Sequence, residues 1–155
     1  MKRFFSLLLA TVMLCSCKSK PDLAKEKKAI LAILQQERKA HFDGDVELFI
    51  SGFADSMVSV SKGMITTPTR EEYRERFGDY FSKVKFIRWD DVNEPVIRFS
   101  DDASLAYAII QKEIILSYPG SPGKTIIDTT AYAWVSIYRK LNGVWKGEVN
   151  VSTNK

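Results

Sequence analysis

The spacing of apolar residues along the chain changes once, near Lys83. Before that point apolar residues recur with a helical period, and after it they alternate as they do in β-strands. Residues 24–42 form the first helical stretch. Its shared face consists of Ile30, Ile33, Leu34, Glu37 and His41. An amphipathic first helix with two titratable residues on its buried face is therefore predicted.

Cap residues divide the helical part into three segments. Gly44 ends the first helix, and Asp45 caps a short second helix over residues 46–53. Thr69 and Glu72 have the spacing of a capping box, which opens a third helix ending near Lys83. The apolar stripe of this third helix consists of Tyr73, Phe77, Tyr80 and Phe81.

The second part of the chain predicts strands joined by tight turns. Asn142 and Gly143 form the strongest hairpin signal. The predicted strands cover residues 57–61, 64–66, 85–92 with 95–99, 104–118, 125–141 and 144–152. Helices followed by long strands predict an α+β fold, with three N-terminal helices packed on a strongly curved antiparallel sheet.

The strand over residues 125–141 has two different faces. The small apolar face consists of Ile127, Ala131, Ala133, Val135 and Ile137, and we assign it to the helices. The opposite face carries Tyr132, Trp134 and Tyr138. Because an aromatic outer face often packs against another subunit, these three residues predict a homodimer through the sheet.

The N-terminus has the features of an export signal. Lys2 and Arg3 precede an apolar stretch over residues 4–14, which is shorter than the about 20 residues that a membrane-spanning helix needs. The string Leu14-Cys15-Ser16-Cys17 then resembles a lipobox, with cleavage before Cys17 and lipid attached to it. The chain is thus predicted to be exported and anchored by lipid to the bacterial cell envelope. The alternative is an ordinary signal peptide with two incidental cysteines.

Behind this signal the chain holds one domain. Residues 1–17 are the signal peptide, 18–23 a polar tether, and 24–155 a domain without cysteine. Of the formal charge of +4, two units come from Lys2 and Arg3. The remaining excess lies largely among lysines near the anchor, where anionic lipid favours them. No basic stripe with interleaved aromatic residues occurs, so nucleic-acid binding is not predicted.

Short strings along residues 24–153 resemble the nuclear transport factor 2-like superfamily, and most closely its SnoaL-like domains of unknown function. The matching strings are Gly44-Asp45, Phe53-Ala54-Asp55, Val60-Ser61-Lys62-Gly63, Tyr80-Phe81, Ser100-Asp101-Asp102 with Ala106, Ala133-Trp134 with Tyr138-Arg139-Lys140, Gly143-Val144-Trp145-Lys146 and Ser152-Thr153. The resemblance implies a cone-shaped, cystatin-like fold with a pocket at its open end. Some members are enzymes, such as ketosteroid isomerase, and many others only bind ligands or partners.

Candidate chemistry centres on the pocket that the resemblance implies. Glu37 and His41 lie one helical turn apart, so they could exchange protons in an apolar cavity. The structural alternative is a rim carboxylate and a hydrogen-bonded core histidine. Asp55 lies where isomerase-like members carry a base, although relatives without activity also have an acid there. The three residues Glu37, His41 and Asp55 are the catalytic candidates.

Ligand binding is predicted for Glu37, His41, Ser59, Trp89 and Lys112. Lys112 lies in an apolar strand and needs an anionic partner if it is buried, either Glu37 or a ligand; otherwise it faces solvent. With a single histidine, the chain predicts no metal site, and no cofactor motif is present. The preferred function is non-catalytic binding of a small hydrophobic or anionic molecule. The alternatives are proton transfer on a hydrophobic substrate and a protein-interaction module that uses the outer sheet face.

Overall fold

The computed structural model of the protein describes residues 20–154, so the predicted signal peptide and Cys17 lie outside the described residues. The helices are α1 (Leu23–Asp43), α2 (Val46–Ser51) and α3 (Arg70–Lys83). The strands are β1 (Phe53–Ser61), β2 (Met64–Thr66), β3 (Lys85–Asp91), β4 (Val96–Phe99), β5 (Leu105–Pro119), β6 (Thr125–Leu141) and β7 (Val144–Asn154). The predicted order of elements is confirmed, although β1 begins at Phe53 rather than at Met57.

The predicted caps fix the helix ends. Gly44 has φ +66°, a left-handed conformation that lets its N–H donate to the carbonyl of Ala40 at the end of α1. The carboxylate of Asp45 accepts the N–H of the third residue of α2 at 2.9 Å. Thr69 donates its backbone N–H to Glu72 Oε2 at 2.7 Å, and the N–H of Glu72 donates back to Thr69 Oγ1 at 3.3 Å. These reciprocal bonds form the predicted capping box of α3.

The sheet has seven strands in the order β2-β1-β7-β6-β5-β3, with β4 also paired to β5. Five of the strand pairs are antiparallel, but β1 and β7 run parallel. The predicted antiparallel sheet is therefore largely confirmed, with β1 and β7 as the one parallel pair among the described strands. Hairpin turns impose antiparallel pairing on neighbours, whereas the long connection between β1 and β7 allows either direction.

Two clusters of buried side chains hold the helices on the sheet. In the first, Ile30 and Leu34 of α1 pack with Ile110, Tyr138 and Trp145. The second joins all three helices to β1, through Ala40, Phe49, Ile50, Phe53, Met57, Tyr73 and Phe81. Each buried large apolar side chain contributes about 1.5–3 kcal/mol by leaving water. The helices consequently cover one side of the sheet and leave the other side open.

The two faces of β6 are assigned the wrong way round in the sequence analysis. Tyr138 is buried beneath the helices with 1 % of its surface exposed, and Ser136 on the same face is 6 % exposed. Ile127 is instead 67 % exposed on the opposite face. The aromatic face therefore points toward the helices, and Tyr132, Trp134 and Tyr138 are not available for a sheet-face dimer.

The outer side of the sheet carries a row of aliphatic residues that crosses six strands. Strand register places in this row Val96, Ile109, Val135, Val151, Val60 and Ile65. The homodimer stays a prediction, and a dimer through the sheet would use this row. Across residues 20–154, no helix is both long and apolar enough to cross a bilayer.

Candidate functional site

A cavity of about 300 Å³ lies between the helices and the helix-facing side of the sheet. All three helices and most strands contribute to its wall. The aromatic residues on this wall are Phe49, Phe53, Tyr73, Phe77, Tyr80, Trp89, Tyr132, Trp134 and Tyr138. This volume is at the lower end of the range of small-molecule pockets, and rings bury much apolar ligand surface with little loss of side-chain entropy.

Glu37 and His41 line the α1 side of this cavity. His41 Nδ1 lies 2.7 Å from the backbone carbonyl of Glu37, and no hydrogen bond links the two side chains. Because a carbonyl only accepts, Nδ1 carries the proton, and Nε2 is the acceptor of the neutral ring. The two residues therefore meet through the backbone, and the Glu37 carboxyl is not held by the histidine.

Burial moves the pKa values of this pair in opposite directions. It raises the pKa of Glu37 from 4.5 to about 7, against the opposing effect of the Lys112 charge. It lowers the pKa of His41 from 6.5 to about 4, and the hydrogen bond to the Glu37 carbonyl only partly offsets this. Near neutral pH the ring is thus uncharged, while the carboxyl is close to its midpoint between the two protonation states.

Trp89 fixes the position of the histidine ring. The two rings stack with centroids 3.9 Å apart and planes 26° from parallel. Phe86 meets the same imidazole edge-on at 4.9 Å, and Phe49 does so at the same distance. Because the ring is enclosed by aromatic side chains, water cannot stabilise its charged form, which is why its pKa falls.

Three buried polar atoms on the cavity wall have no hydrogen-bond partner among the described residues. They are the hydroxyls of Tyr73 and Tyr138 and the indole Nε1 of Trp89. Tyr138 is 1 %, Tyr73 3 % and Trp89 8 % exposed. Burial raises the pKa of Tyr138 well above its ordinary value, the charge of Glu37 raises it further, and the nearby Ser136 side chain offsets only part of this rise, so the hydroxyl stays protonated. A buried unpaired polar group costs about 1–3 kcal/mol, which a bound acceptor would relieve.

Solved structures with this arrangement of helices and sheet identify the fold. A ketosteroid isomerase-like protein from Erwinia carotovora atroseptica is 18 % identical with a TM-score of 0.66, over 84 % of this chain and 96 % of that chain. The nuclear transport factor 2-like fold is the fold of this chain. A nuclear transport factor 2-like protein from Cytophaga hutchinsonii is 18 % identical with a TM-score of 0.64, over 84 % and 98 % of the two chains.

A third match is an uncharacterized protein with a cystatin-like fold from Caulobacter vibrioides. It is 18 % identical with a TM-score of 0.63, over 84 % of this chain and 90 % of that chain. No family model and no curated protein matches the sequence. At these identities the likeness confirms the predicted nuclear transport factor 2-like fold, and function has to be argued from the cavity.

Four of the predicted ligand-binding residues line the cavity. They are Glu37, His41, Ser59 and Trp89. Lys112 does not reach the cavity wall, and it is not in solvent either. It is 4 % exposed, and its Nζ lies 2.6 Å from Asp91 Oδ1 on the neighbouring strand β3. The anionic partner that its burial requires is therefore Asp91, and its assignment to the ligand was wrong.

Asp55 lies outside the cavity. Its side chain is fully exposed, and its nearest cation is Arg70 Nη2 at 3.5 Å. A solvated carboxylate that does not face the cavity cannot act as its base, so this catalytic candidate is contradicted. Within residues 20–154, no cluster of His, Cys, Asp or Glu side chains could hold a metal ion.

Most residues of the cavity wall were not predicted from the sequence. Tyr132, Trp134 and Tyr138 are predicted on the outer face, and Tyr73 is predicted only as part of the apolar stripe of α3, whereas all four line the cavity. One signal in the sequence could have indicated the wall residues of β6. Polar aromatic residues occur at alternate positions of this central strand. Such residues suit a cavity, because a ring packs against apolar neighbours while its hydroxyl or N–H faces a ligand.

Proposed function

We propose that this domain binds a small, largely apolar molecule that carries a hydrogen-bond acceptor. The proposal rests on one observation: the cavity is lined by aromatic rings, and three buried donors on its wall have no hydrogen-bond partner among the described residues. The apolar body of the ligand would lie against the rings. Its acceptor would take hydrogen bonds from Tyr138 and Trp89 beside Glu37.

The need for a hydrogen-bond acceptor is tested with two naphthalenes of the same shape. 2-Acetylnaphthalene has a carbonyl oxygen, whereas 2-isopropenylnaphthalene has a methylene group in its place. We expect the ketone to raise the thermal unfolding midpoint of the purified protein more than the hydrocarbon does, because a ligand that binds only the native state stabilises it. The Tyr138→Phe variant should lose this difference.

The same variant should be more stable than the wild type without ligand, by about 1 kcal/mol, because it removes a buried unpaired hydroxyl. Tyr107→Phe is the matched control, since Tyr107 is 42 % exposed on the outer side of the sheet. If Tyr138→Phe keeps the full preference for the ketone, the hydroxyl is not a ligand donor.

Proton transfer is the second candidate function, and the Glu37 carboxyl favours it. A carboxyl with a pKa of about 7 can take up and return a proton near neutral pH. Donors beside it could stabilise negative charge that develops on a substrate oxygen. Deuterium exchange from solvent into the methyl group of 2-acetylnaphthalene separates the candidates. Exchange that Glu37→Gln abolishes indicates an enzyme, whereas binding without accelerated exchange leaves a binding protein.

A lipid anchor on Cys17 is the second part of the proposed function. It rests on the apolar stretch and lipobox-like string of the sequence. When the chain is expressed in bacteria, we expect the protein in the membrane fraction and Cys17→Ala in the soluble fraction. Cys15→Ala is the matched control and should stay with the membrane. If both variants fractionate alike, Cys17 is not the anchor.

A further inference from the structure

Most basic side chains of α3 form ion pairs with carboxylates of this protein. Arg74 contacts Glu47 Oε1 at 2.5 Å and also pairs with Glu71. Lys83 Nζ lies 2.6 Å from Asp79 Oδ1, one turn before it. In such a pair each charge is neutralised by its partner. A basic residue of α3 that forms no such pair is therefore of interest as a binding group.

Arg76 is that cation. Among residues 20–154, no carboxylate forms an ion pair with it. Its helical neighbours are occupied: Glu72 accepts the capping bonds of Thr69 at 2.7 and 3.0 Å, and Asp79 pairs with Lys83. The guanidinium is therefore available to an anion from outside the chain.

Aromatic rings hold the guanidinium of Arg76 at the cavity. Its Cζ lies 4.8 Å from the ring centre of Tyr73 and 4.9 Å from that of Phe77, and all three residues line the cavity. Stacking on rings positions the planar group without neutralising it, so its N–H groups remain able to bind an anionic oxygen.

A buried hydroxyl lies beside this cation. Tyr73 is 3 % exposed, and its hydroxyl has no hydrogen-bond partner among the described residues. Burial raises the pKa of Tyr73, whereas the positive charge of Arg76 and the nearby side chain of Ser59 oppose that rise, so these groups lie close together. The pair supplies a charged donor and a neutral donor on the same part of the wall, remote in sequence from Glu37.

We propose that Arg76 and the hydroxyl of Tyr73 form a subsite for an anionic oxygen group, so that the ligand is an organic anion with an apolar body. This rests on the proposed function, because it places the anion on a molecule that fills the same cavity. Arginine N–H groups bind carboxylate and similar oxygens with charge-assisted hydrogen bonds. The Glu37 carboxylate would repel an anion placed beside it. The charged end of the ligand therefore lies at Arg76, and its neutral acceptor lies at Tyr138.

The experiment compares two fluorescent probes on one scaffold. 8-Anilinonaphthalene-1-sulfonate carries a sulfonate, and N-phenyl-1-naphthylamine is the same ring system without it. Both are titrated into the purified protein and into Arg76→Gln. We expect Arg76→Gln to weaken sulfonate binding about tenfold while binding of the neutral probe changes less than about twofold.

Arg98→Gln is the matched control, because Arg98 is also exposed, forms no ion pair among the described residues, and does not line the cavity. It should leave both affinities unchanged. If Arg98→Gln weakens sulfonate binding as much as Arg76→Gln does, the effect is one of net charge and the subsite is overturned. If Arg76→Gln changes neither probe while both bind, the anion subsite is overturned but cavity binding survives. If neither probe binds the wild type, the proposed function itself fails.

Discussion

Glu37→Gln is expected to become progressively more stable than the wild type as the pH rises from 4 to 8, by about 2–3 kcal/mol in total. In the folded protein the Glu37 carboxyl keeps its proton up to a pKa of about 7, whereas its ordinary pKa is 4.5. Between these values the folded state binds more protons than the unfolded state, so the wild type loses stability as the pH rises. Glutamine cannot ionise, and the variant therefore escapes this loss.

His41→Asn should show the opposite trend, while keeping a donor for the Glu37 carbonyl. The pKa of His41 is lowered from 6.5 to about 4, so between these values the unfolded state binds more protons. The wild type therefore gains stability as the pH rises from 4 to 6.5, and a variant without the imidazole loses that gain. In the wild type the two contributions nearly cancel over this range.

Urea unfolding of the three proteins at half-unit steps of pH measures both effects. Groups that titrate elsewhere cancel when each variant is compared with the wild type at the same pH. Glu75→Gln, on the exposed side of α3, controls for the loss of one negative charge. Parallel pH curves for wild type and Glu37→Gln would show that the carboxyl titrates normally and that the cavity does not exclude water from it.

Asp91→Ala is expected to destabilise the protein by about 2 kcal/mol, and more than Lys112→Met does. The Lys112 side chain is 5 % exposed and its ammonium lies 2.6 Å from Asp91 Oδ1, while the Asp91 side chain is 35 % exposed. Removing the carboxylate leaves a buried cation close to Glu37 and to the Trp89 ring, whose centre is 5.9 Å from its Nζ. The cost is below that of a fully buried pair because water reaches Asp91.

Lys112→Met removes the charge and keeps an apolar stem in the core. The Asp91 carboxylate that it leaves without a partner is partly exposed, so water can still solvate it. The double variant should be close to Lys112→Met alone. Urea unfolding of the two single variants and the double variant checks this order. A larger loss in Lys112→Met than in Asp91→Ala would mean that the lysine stabilises something other than this pair, with Glu37 as the first group to test.

Local signals in the sequence predicted the elements well. Gly44, Asp45 and the capping box at Thr69 act through backbone groups within one turn, so short strings specify them. Asn142 and Gly143 both adopt positive φ, of 51° and 83°, in the hairpin between β6 and β7. Helix ends and hairpins are decided within a few residues, which is why these predictions are confirmed.

The inward face of β6 could not be read from its alternation. Both faces of β6 carry residues that can be buried, aliphatic on one face and aromatic on the other. The aliphatic face is the expected choice only if the core is filled by side chains and holds no cavity. In this protein the helix-facing side holds Tyr132, Trp134 and Tyr138 around a cavity, and the aliphatic residues lie outside. Burial of a polar aromatic ring depends on what faces it across the sheet, and the local pattern does not contain that information.

The partner of Lys112 depends on register between strands. Asp91 and Lys112 are directly opposite each other in the β3–β5 pair, although they are 21 positions apart in sequence. No local pattern near either residue specifies this alignment, so the sequence left Glu37, a ligand and solvent as alternatives. Glu37 and His41, in contrast, were found because one helical turn separates them on the same face of α1, which lines the cavity.

The most direct test of the cavity is a crystal structure of the protein grown with 2-acetylnaphthalene. We predict the naphthalene ring between the helices and the sheet, against Trp89 and Trp134, with the ketone oxygen within hydrogen-bond distance of the Tyr138 hydroxyl. A cavity closed by its own side chains, with the compound bound only to the outer aliphatic row, would contradict the account.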